Sequence, residues 1–431
     1  MPALDRPLAN SNFTLDASGV AGFFGGEEVI AAIVAIHFFK GQRWLGWYNL
    51  PGSYTIARRF GQLANSPFWD RLFPGPYEQP ESSFGLDGKP GPKFVASLSG
   101  TVISETGYLG HLAMEGCKQR EVVVIPGRTT LPVEVSLLDL RDIERVDMSL
   151  RQGDLRRALP ALMPMITSFV TCTMCALYDD WFCFAMILLG ILAGGVTTFV
   201  IGSAELSIQS VRPPLGVPPG DGMLIETRTV LVVKGEERHV NVITKGRFSM
   251  RLAGFPNHSR IGICSLLLVV QFLLQLLLIP QGSLFGQIMF ILSLSVSWAY
   301  AYFLSTIPKA EIHKSWLFNC LGNPKIRKFQ LGSRTTMTVF VCLLLRDGHD
   351  GSTWCPDTIL RDFIPNDTRV WRAWRNKVAR QLNADYHDSL SHLELDEHDL
   401  ADLGEMDTKL LQTLLHDATS AFMGYLSHFG R

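Results

Sequence analysis

Residues 161–203 read ALMPMITSFVTCTMCALYDDWFCFAMILLGILAGGVTTFVIGS. Asp179 and Asp180 carry the only charges in this stretch, which is about twice the ~20 apolar residues one helix needs to cross a bilayer. Broken at the aspartates, it predicts two antiparallel helices in direct contact, Ala161 to Tyr178 and Trp181 to Gly202. The pattern recurs at 261–306, where Ile261 to Ile279 and Leu284 to Thr306 flank the turn Pro280-Gln-Gly-Ser283. The fold class expected is an α-helical membrane protein with two transmembrane hairpins, hence four spans.

The N-terminal segment, 1–50, leaves two readings. Met1 to Gly19 is polar and lacks a basic stretch followed by a long apolar one, so a cleaved signal peptide is not expected. Val29 to Phe39 is apolar, but Glu27 and Glu28 precede it, and a carboxylate at a span centre costs about 2.5 to 3.5 kcal/mol on insertion scales. An interfacial amphipathic helix is the first reading, and a fifth span near 20–39 is the alternative. Lys40, Arg43, Trp44, Trp47 and Tyr48 suit a membrane interface under either.

Outside the hairpins the chain is polar. In 51–160, Pro, Gly and Ser dominate up to Lys93, predicting turns and linkers. Strands are expected at Phe94 to Ile103, Glu121 to Pro126 and Pro132 to Leu138, then a charged helix from Arg141 to Leu159. In 204–260, Leu224 to Val233 and His239 to Thr244 look like strands, with Arg247 to Leu252 a third. One short hairpin is marginal in water, so these strands should pair with those at 94–138 and with Met337 to Leu345. The result would be a composite cytosolic α+β domain. In 307–431, a tryptophan-bearing helix from Thr368 to Leu382 and a final helix from Thr408 to Phe429 follow, the latter with Leu411, Leu414, Leu415, Ala418, Phe422 and Tyr425 on one face.

Orientation follows from basic residues. Neither hairpin tip holds Lys or Arg, whereas the bases carry Arg156, Arg157, Arg212, Lys245, Arg260, Lys309 and Lys314 among others. The positive-inside rule therefore puts the N-terminal region, central loop and C-terminus in the cytosol. Gly190 and Gly194 form GxxxG, which lets a neighbouring helix approach closely. Gln271 and Gln275, one turn apart, can hydrogen-bond to another helix instead of facing hydrocarbon.

The C-terminal third, with a basic loop after the last span, a short apolar strand, then Ile364-Pro-Asn-Asp-Thr368, Trp371 and Trp374, resembles uncharacterised multi-pass membrane proteins of filamentous fungi. The resemblance also covers the hairpin layout and implies no activity.

With 39 basic and 40 acidic residues, no bulk field attracts nucleic acid. The eight cysteines lack a disulfide framework, and Cys172 and Cys175 are expected to be packed, reduced thiols. Two groups, the Asp179–Asp180 pair and Cys355, are weak catalytic candidates. Asp179 and Asp180 pair two carboxylates that can share a proton or hold Mg2+ on a diphosphate, although a turn at the water boundary with aromatic anchors is the simpler reading. Cys355, in Ser352-Thr-Trp-Cys-Pro-Asp-Thr358, resembles the strand, WCxxC, helix entry of thioredoxin-like proteins, with Thr358 where the second cysteine would stand. Asp388-Ser-Leu390 resembles the serine-bearing helix entry of carrier proteins. His387, His392, Glu394, Asp396, Glu397, His398 and Asp399 offer imidazole and carboxylate groups, but at no metal-ligand spacing, and a solvated acidic face is the simpler reading. No metal and no cofactor is expected. Of three glycosylation sequons, Asn257 and Asn366 should be cytosolic and unused, and Asn12 would be used only if 20–39 span.

The functional expectation is a membrane-anchored interaction or scaffold protein, with the bilayer and cytosolic proteins as partners. A membrane enzyme acting on a lipid or isoprenoid substrate is the alternative. A small transporter, or a homo-oligomeric channel sealed through Gln271 and Gln275, is the third reading.

Overall fold

The computed structural model describes residues 22–36, 42–64, 66–75, 79–143, 159–251, 259–346, 354–384, 393–396 and 403–430. The sequon residues Asn12 and Asn257, the basic residues Arg156 and Arg157, His387, His392, Glu397, His398, Asp399 and the Asp388–Leu390 motif lie outside them, as does most of the expected Arg141 to Leu159 helix.

In chain order the elements are α1 (Gly26–Ile36), α2 (Ser53–Leu63), β1 (Lys93–Ala96), β2 (Val102–Ile103), α3 (Tyr108–Lys118), β3 (Val122–Val124) and β4 (Val133–Asp139). The first hairpin follows as α4 (Leu162–Leu177) and α5 (Trp181–Gly202), then β5 (Glu205–Gln209), β6 (Gly222–Ile225), β7 (Thr229–Lys234), α6 (Glu237–Thr244) and β8 (Arg247–Arg251). The second hairpin is α7 (Ser259–Leu278) and α8 (Leu284–Ser305), followed by α9 (Lys309–Cys320), β9 (Lys325–Leu331), α10 (Arg334–Arg346), α11 (Pro356–Phe363), α12 (Arg369–Asn383) and α13 (Glu405–Phe429). Short helices also occupy Pro67–Leu72 and Pro80–Ser83.

Two compact units emerge, one within Met1–Gly88, Met148–Ile208 and Phe248–Trp316, the other within Lys89–Asp147, Gln209–Arg247 and Leu317–Arg431. The first is helical. Leu159–Leu177, Trp181–Gly202, Arg260–Gln281 and Leu284–Ser305 are the four helices among the described residues long and apolar enough to cross a membrane. Between α4 and α5, Asp179 takes the left-handed conformation at φ 56°, and Asp180 caps α5 by accepting from the Cys183 amide at 3.1 Å. Ser283 starts α8 likewise, accepting from the Gly286 amide at 3.2 Å.

Sequence and structure part at several elements. The stretch expected as linker holds α2, because Ile56, Ala57, Phe60 and Leu63 recur at helical spacing and bury one face, with α2 packed along α7. Gly and Pro concentrate around that helix, and they outweighed its periodicity. In the 20–39 segment the described helix α1 has 11 residues, short of the ~17 to 25 a span needs. It packs against α2 and α8, with Val29, Ile30, Ala32 and Ile33 buried.

The second unit holds a seven-stranded sheet in the order β2-β1-β6-β7-β4-β9-β3. β4 pairs in parallel with β7 from Glu134↔Thr229 to Asp139↔Lys234, and antiparallel with β9 from Val133↔Leu331 to Asp139↔Lys325. Strands from before, between and after the two hairpins thus join one sheet. Phe94 to Ile103 forms a hairpin, β1 with β2, in place of one strand. His239 to Thr244 is helical in α6, and Met337 to Leu345 belongs to α10, not to a strand. Every residue from Thr335 to Leu345 is buried; an apolar run of that kind fits a central strand or an enclosed helix equally, and periodicity does not separate them. α10 contacts β4, β7 and β9 and is covered by α11, α12 and α13. The sheet partner missed in the sequence is β9, where Lys325, Arg327 and Lys328 leave only Phe329 and Leu331 to show an apolar face. β8 does form, but pairs with β5 in a separate two-stranded ribbon.

Candidate functional site

The polar centre of the helical unit is built on Leu45–Gly52, a stretch outside helix or strand. Gly52 closes it at φ 69°, and a Cβ there would overlap the backbone of Gly26, so the left-handed turn and the close approach both require glycine. Gly190, Gly194 and Gly195 of α5 receive the stretch. A Cβ at Gly190 would overlap Asn49 Oδ1, one at Gly194 would meet the carbonyl oxygens of Tyr48 and Gly46, and one at Gly195 would meet the Trp47 ring. The GxxxG column therefore admits extended chain, where the sequence pointed to a neighbouring helix.

Asn49 is fully buried and binds two of the long helices. Its backbone N–H donates to Ser168 Oγ of α4 at 3.0 Å, and its Nδ2 donates to Ser293 Oγ of α8 at 2.8 Å. From α7, Gln271 Nε2 lies 3.4 Å from the position a Gly190 Cβ would take. One turn on, Gln275 Oε1 accepts from Ser53 Oγ of α2 at 3.2 Å, and Ser265 Oγ donates to the Ala57 carbonyl at 2.6 Å. Each long helix brings its contribution near mid-length. The two glutamines hence face the interior of one chain, away from any surface where a second copy would seal a pore. Asn49 Oδ1, both amide atoms of Gln271 and Gln275 Nε2 are buried and find no hydrogen-bond partner among the described residues. This set of amides and hydroxyls has no ionisable member, so it can hold a neutral polar group but cannot move a proton as an acid or base.

At the hairpin tips, Asp180 is 4% exposed. Besides capping α5, its Oδ2 accepts from the Ser283 N–H at 2.7 Å and from Ser283 Oγ at 2.5 Å. The carboxylate fastens one hairpin turn to the other. Those three bonds fill most of the roughly four acceptor sites of the carboxylate. Asp179 is half-buried beside it.

The α/β unit has its own polar centre at Asp417 of α13, which is fully buried. Arg128 Nε and Nη2 donate to its two oxygens at 3.1 and 2.6 Å. Ser333 Oγ donates at 3.1 Å and Thr335 Oγ1 donates as well, both at the start of α10. The sequence signal for this residue was a lone carboxylate on the otherwise apolar face of α13, next to Ala418. Close by in the same core, Trp374 Nε1 donates to the Leu414 carbonyl at 3.1 Å.

The remaining candidates are dispersed. Cys355 is the exposed member of eight free cysteines and stands at the cap of α11, but α10 before it is a helix, so the strand of a thioredoxin-like entry is missing. Cys172, Cys175 and Cys183 pack together with Met186 and Ile187. Burial pushes the Cys117 thiol in the other unit up to about 12, which keeps it protonated and unreactive. Asp396 pairs with Lys377 at 2.7 Å, and no group of three or more potential metal ligands occurs among the described residues. Asn366 is exposed. Compared with family models, curated proteins and solved structures, the chain matches none.

Proposed function

We propose that the chain is a multi-pass membrane protein whose two hairpins tether an α/β binding platform on the cytosolic side. The observation that carries this reading is the pairing of β4 with both β7 and β9. One sheet cannot be divided by a bilayer, whose core leaves no partner for open strand edges. Each hairpin would then leave and return to one side, and the basic residues at the hairpin bases favour the cytosol for that side. Support for a binding role comes from β3, which ends the sheet and exposes Val122, Val123 and Val124 at 38%, 40% and 66%. An apolar edge strand is a template for an added extended peptide.

Proximity labelling from the C-terminus tests the platform. Val123→Lys should remove a subset of labelled neighbours while membrane insertion and protein level stay as in the parent chain. An unchanged set of neighbours contradicts the role of this edge.

A second reading, a small transporter, is favoured by the extended stretch around Asn49, since irregular backbone at membrane depth is a feature of transporter substrate sites. Solute or ion flux in liposomes that Asn49→Leu abolishes would favour it over the platform. For the lipid-enzyme reading, Asp180 would have to act while it accepts from Ser283 and Cys183.

A further inference from the structure

The polar centre around Asn49 is incomplete as a set of protein–protein hydrogen bonds. A buried amide atom without a partner costs roughly 1 to 3 kcal/mol, and in an apolar bundle no bulk water relieves that cost. Four such atoms belong to two elements: Asn49 Oδ1 to the Leu45–Gly52 stretch, and Gln271 Oε1, Gln271 Nε2 and, one turn on, Gln275 Nε2 to α7. Asn49 Oδ1 and Gln271 Nε2 border the same point above Gly190, where the missing side chain lets Asn49 Oδ1 come up against the helix.

The chemistry of these atoms selects their ligand. Two are acceptors and two are N–H donors. A metal cation would face the N–H groups, and an anion would face the carbonyl oxygens. A neutral molecule with two donors and two acceptors fits the set, and exchanging O and N of the Gln271 amide leaves the set the same. We propose that water occupies this site, bridging Asn49 to Gln271 and Gln275 at the middle of the four-helix unit. Water so placed completes the tie between this stretch and α7, a long helix to which no direct hydrogen bond from Asn49 runs among the described residues. Buried water with three or so polar partners is part of a fold, not a visitor to it.

The test is water-edited solid-state NMR of the full chain, uniformly labelled with 15N, in lipid bilayers. The Gln271 and Gln275 side-chain amides should receive magnetisation from water well before the backbone amide of Leu268, a fully buried apolar position on the same helix. Gln271→Met, which keeps the volume and removes the amide, should abolish the early transfer to Gln275. The measurement on the parent chain decides the matter even if the variant fails to fold. Transfer to both glutamines as slow as to Leu268 means a dry centre and overturns the proposal. Early transfer to Gln275 that survives Gln271→Met overturns the shared site.

Discussion

Asn49 and Asp417 do the same structural work in different surroundings. Each is fully buried, and each ties irregular chain to long helices: Asn49 joins its own extended stretch to α4 and α8, and Asp417 joins the Arg128 loop to α13 and the start of α10. In the α/β unit the tie is a charge with a bidentate arginine and two hydroxyls, and the carboxylate has four donors in all. In the helical unit the tie is neutral, made of amides and serines, and it leaves four polar atoms without protein partners. The difference is the one expected of two solvents. A unit folded from water can assemble a compensated ion pair, because Arg128 keeps 41% of its side chain in water. Helices apolar enough to cross a membrane would, within one, have to avoid the much larger desolvation of a charge.

The largest effect should come from breaking the charged tie. Asp417→Ala leaves the Arg128 guanidinium and two hydroxyls without their acceptor, and about 3 to 5 kcal/mol of stability should go, read as chemical denaturation of the α/β unit. Asp417→Asn should recover part of it by still accepting from Ser333 and Thr335. If Asp417→Ala changes stability by less than about 1 kcal/mol, the carboxylate is not the tie described.

Next comes the glycine column under the neutral tie. Gly190→Val would press against Asn49 Oδ1 and should cost about 1 to 3 kcal/mol by overpacking, seen as a lower melting temperature in detergent. Gly216→Val provides the control, because nothing lies within 4 Å of a Cβ there, although its own φ of 85° adds local strain. Equal losses for the two would mean that the stretch does not seat on α5.

A titratable group in the helical unit sharpens the contrast. His313 of α9 is fully buried, and burial together with Lys309 pushes its pKa from 6.5 down to about 4. The unfolded chain therefore binds a proton first as pH falls. Stability should be fully present well above pH 6.5 and should fall by about 3 kcal/mol as pH drops through 6.5 to 4. His313→Phe should flatten that slope, and an unaltered slope would assign the acid sensitivity to other groups.

The smallest effect should be Ser53→Ala, which removes one hydroxyl from Gln275. Interhelical bonds of this type in membrane proteins average about 0.6 kcal/mol, so only a small shift in melting temperature is expected. A loss above about 2 kcal/mol would show that Gln275 has no other means of satisfying its carbonyl.

The four long helices were legible because length and the absence of charge suffice to read them. The glycine column and the two glutamines were also legible as features. Their partner was not, because Asn49 sits among aromatic and basic residues that read as an interface, and no local pattern says that Leu45–Gly52 packs against residues more than a hundred positions away. The strands before the hairpins were visible as runs of Val and Ile between turns, whereas Leu224 to Val233, expected as one strand, divides between β6 and β7. β9 was hidden by its charges, and α10 was taken for a strand because a wholly buried helix loses the amphipathic period that identifies one. The carboxylates and Cys355 drew notice by residue type alone. In the fold Asp180 is a fastener between two turns and Cys355 an exposed cap residue.

The central claim is that one sheet gathers three chain segments on one side of a membrane, with both hairpin tips on the other. Labelling with a membrane-impermeant maleimide in sealed, oriented vesicles tests it most directly, because Cys355 is exposed and the other seven cysteines are buried. Single cysteines at Thr101, Leu215 and Gln281, in a Cys355→Ser background, sample the segment before the hairpins, the segment between them and the tip of the second. Thr101→Cys, Leu215→Cys and the natural Cys355 should react from the same side, and Gln281→Cys from the opposite one. If any of the first three reacts from the side of Gln281→Cys, the account fails.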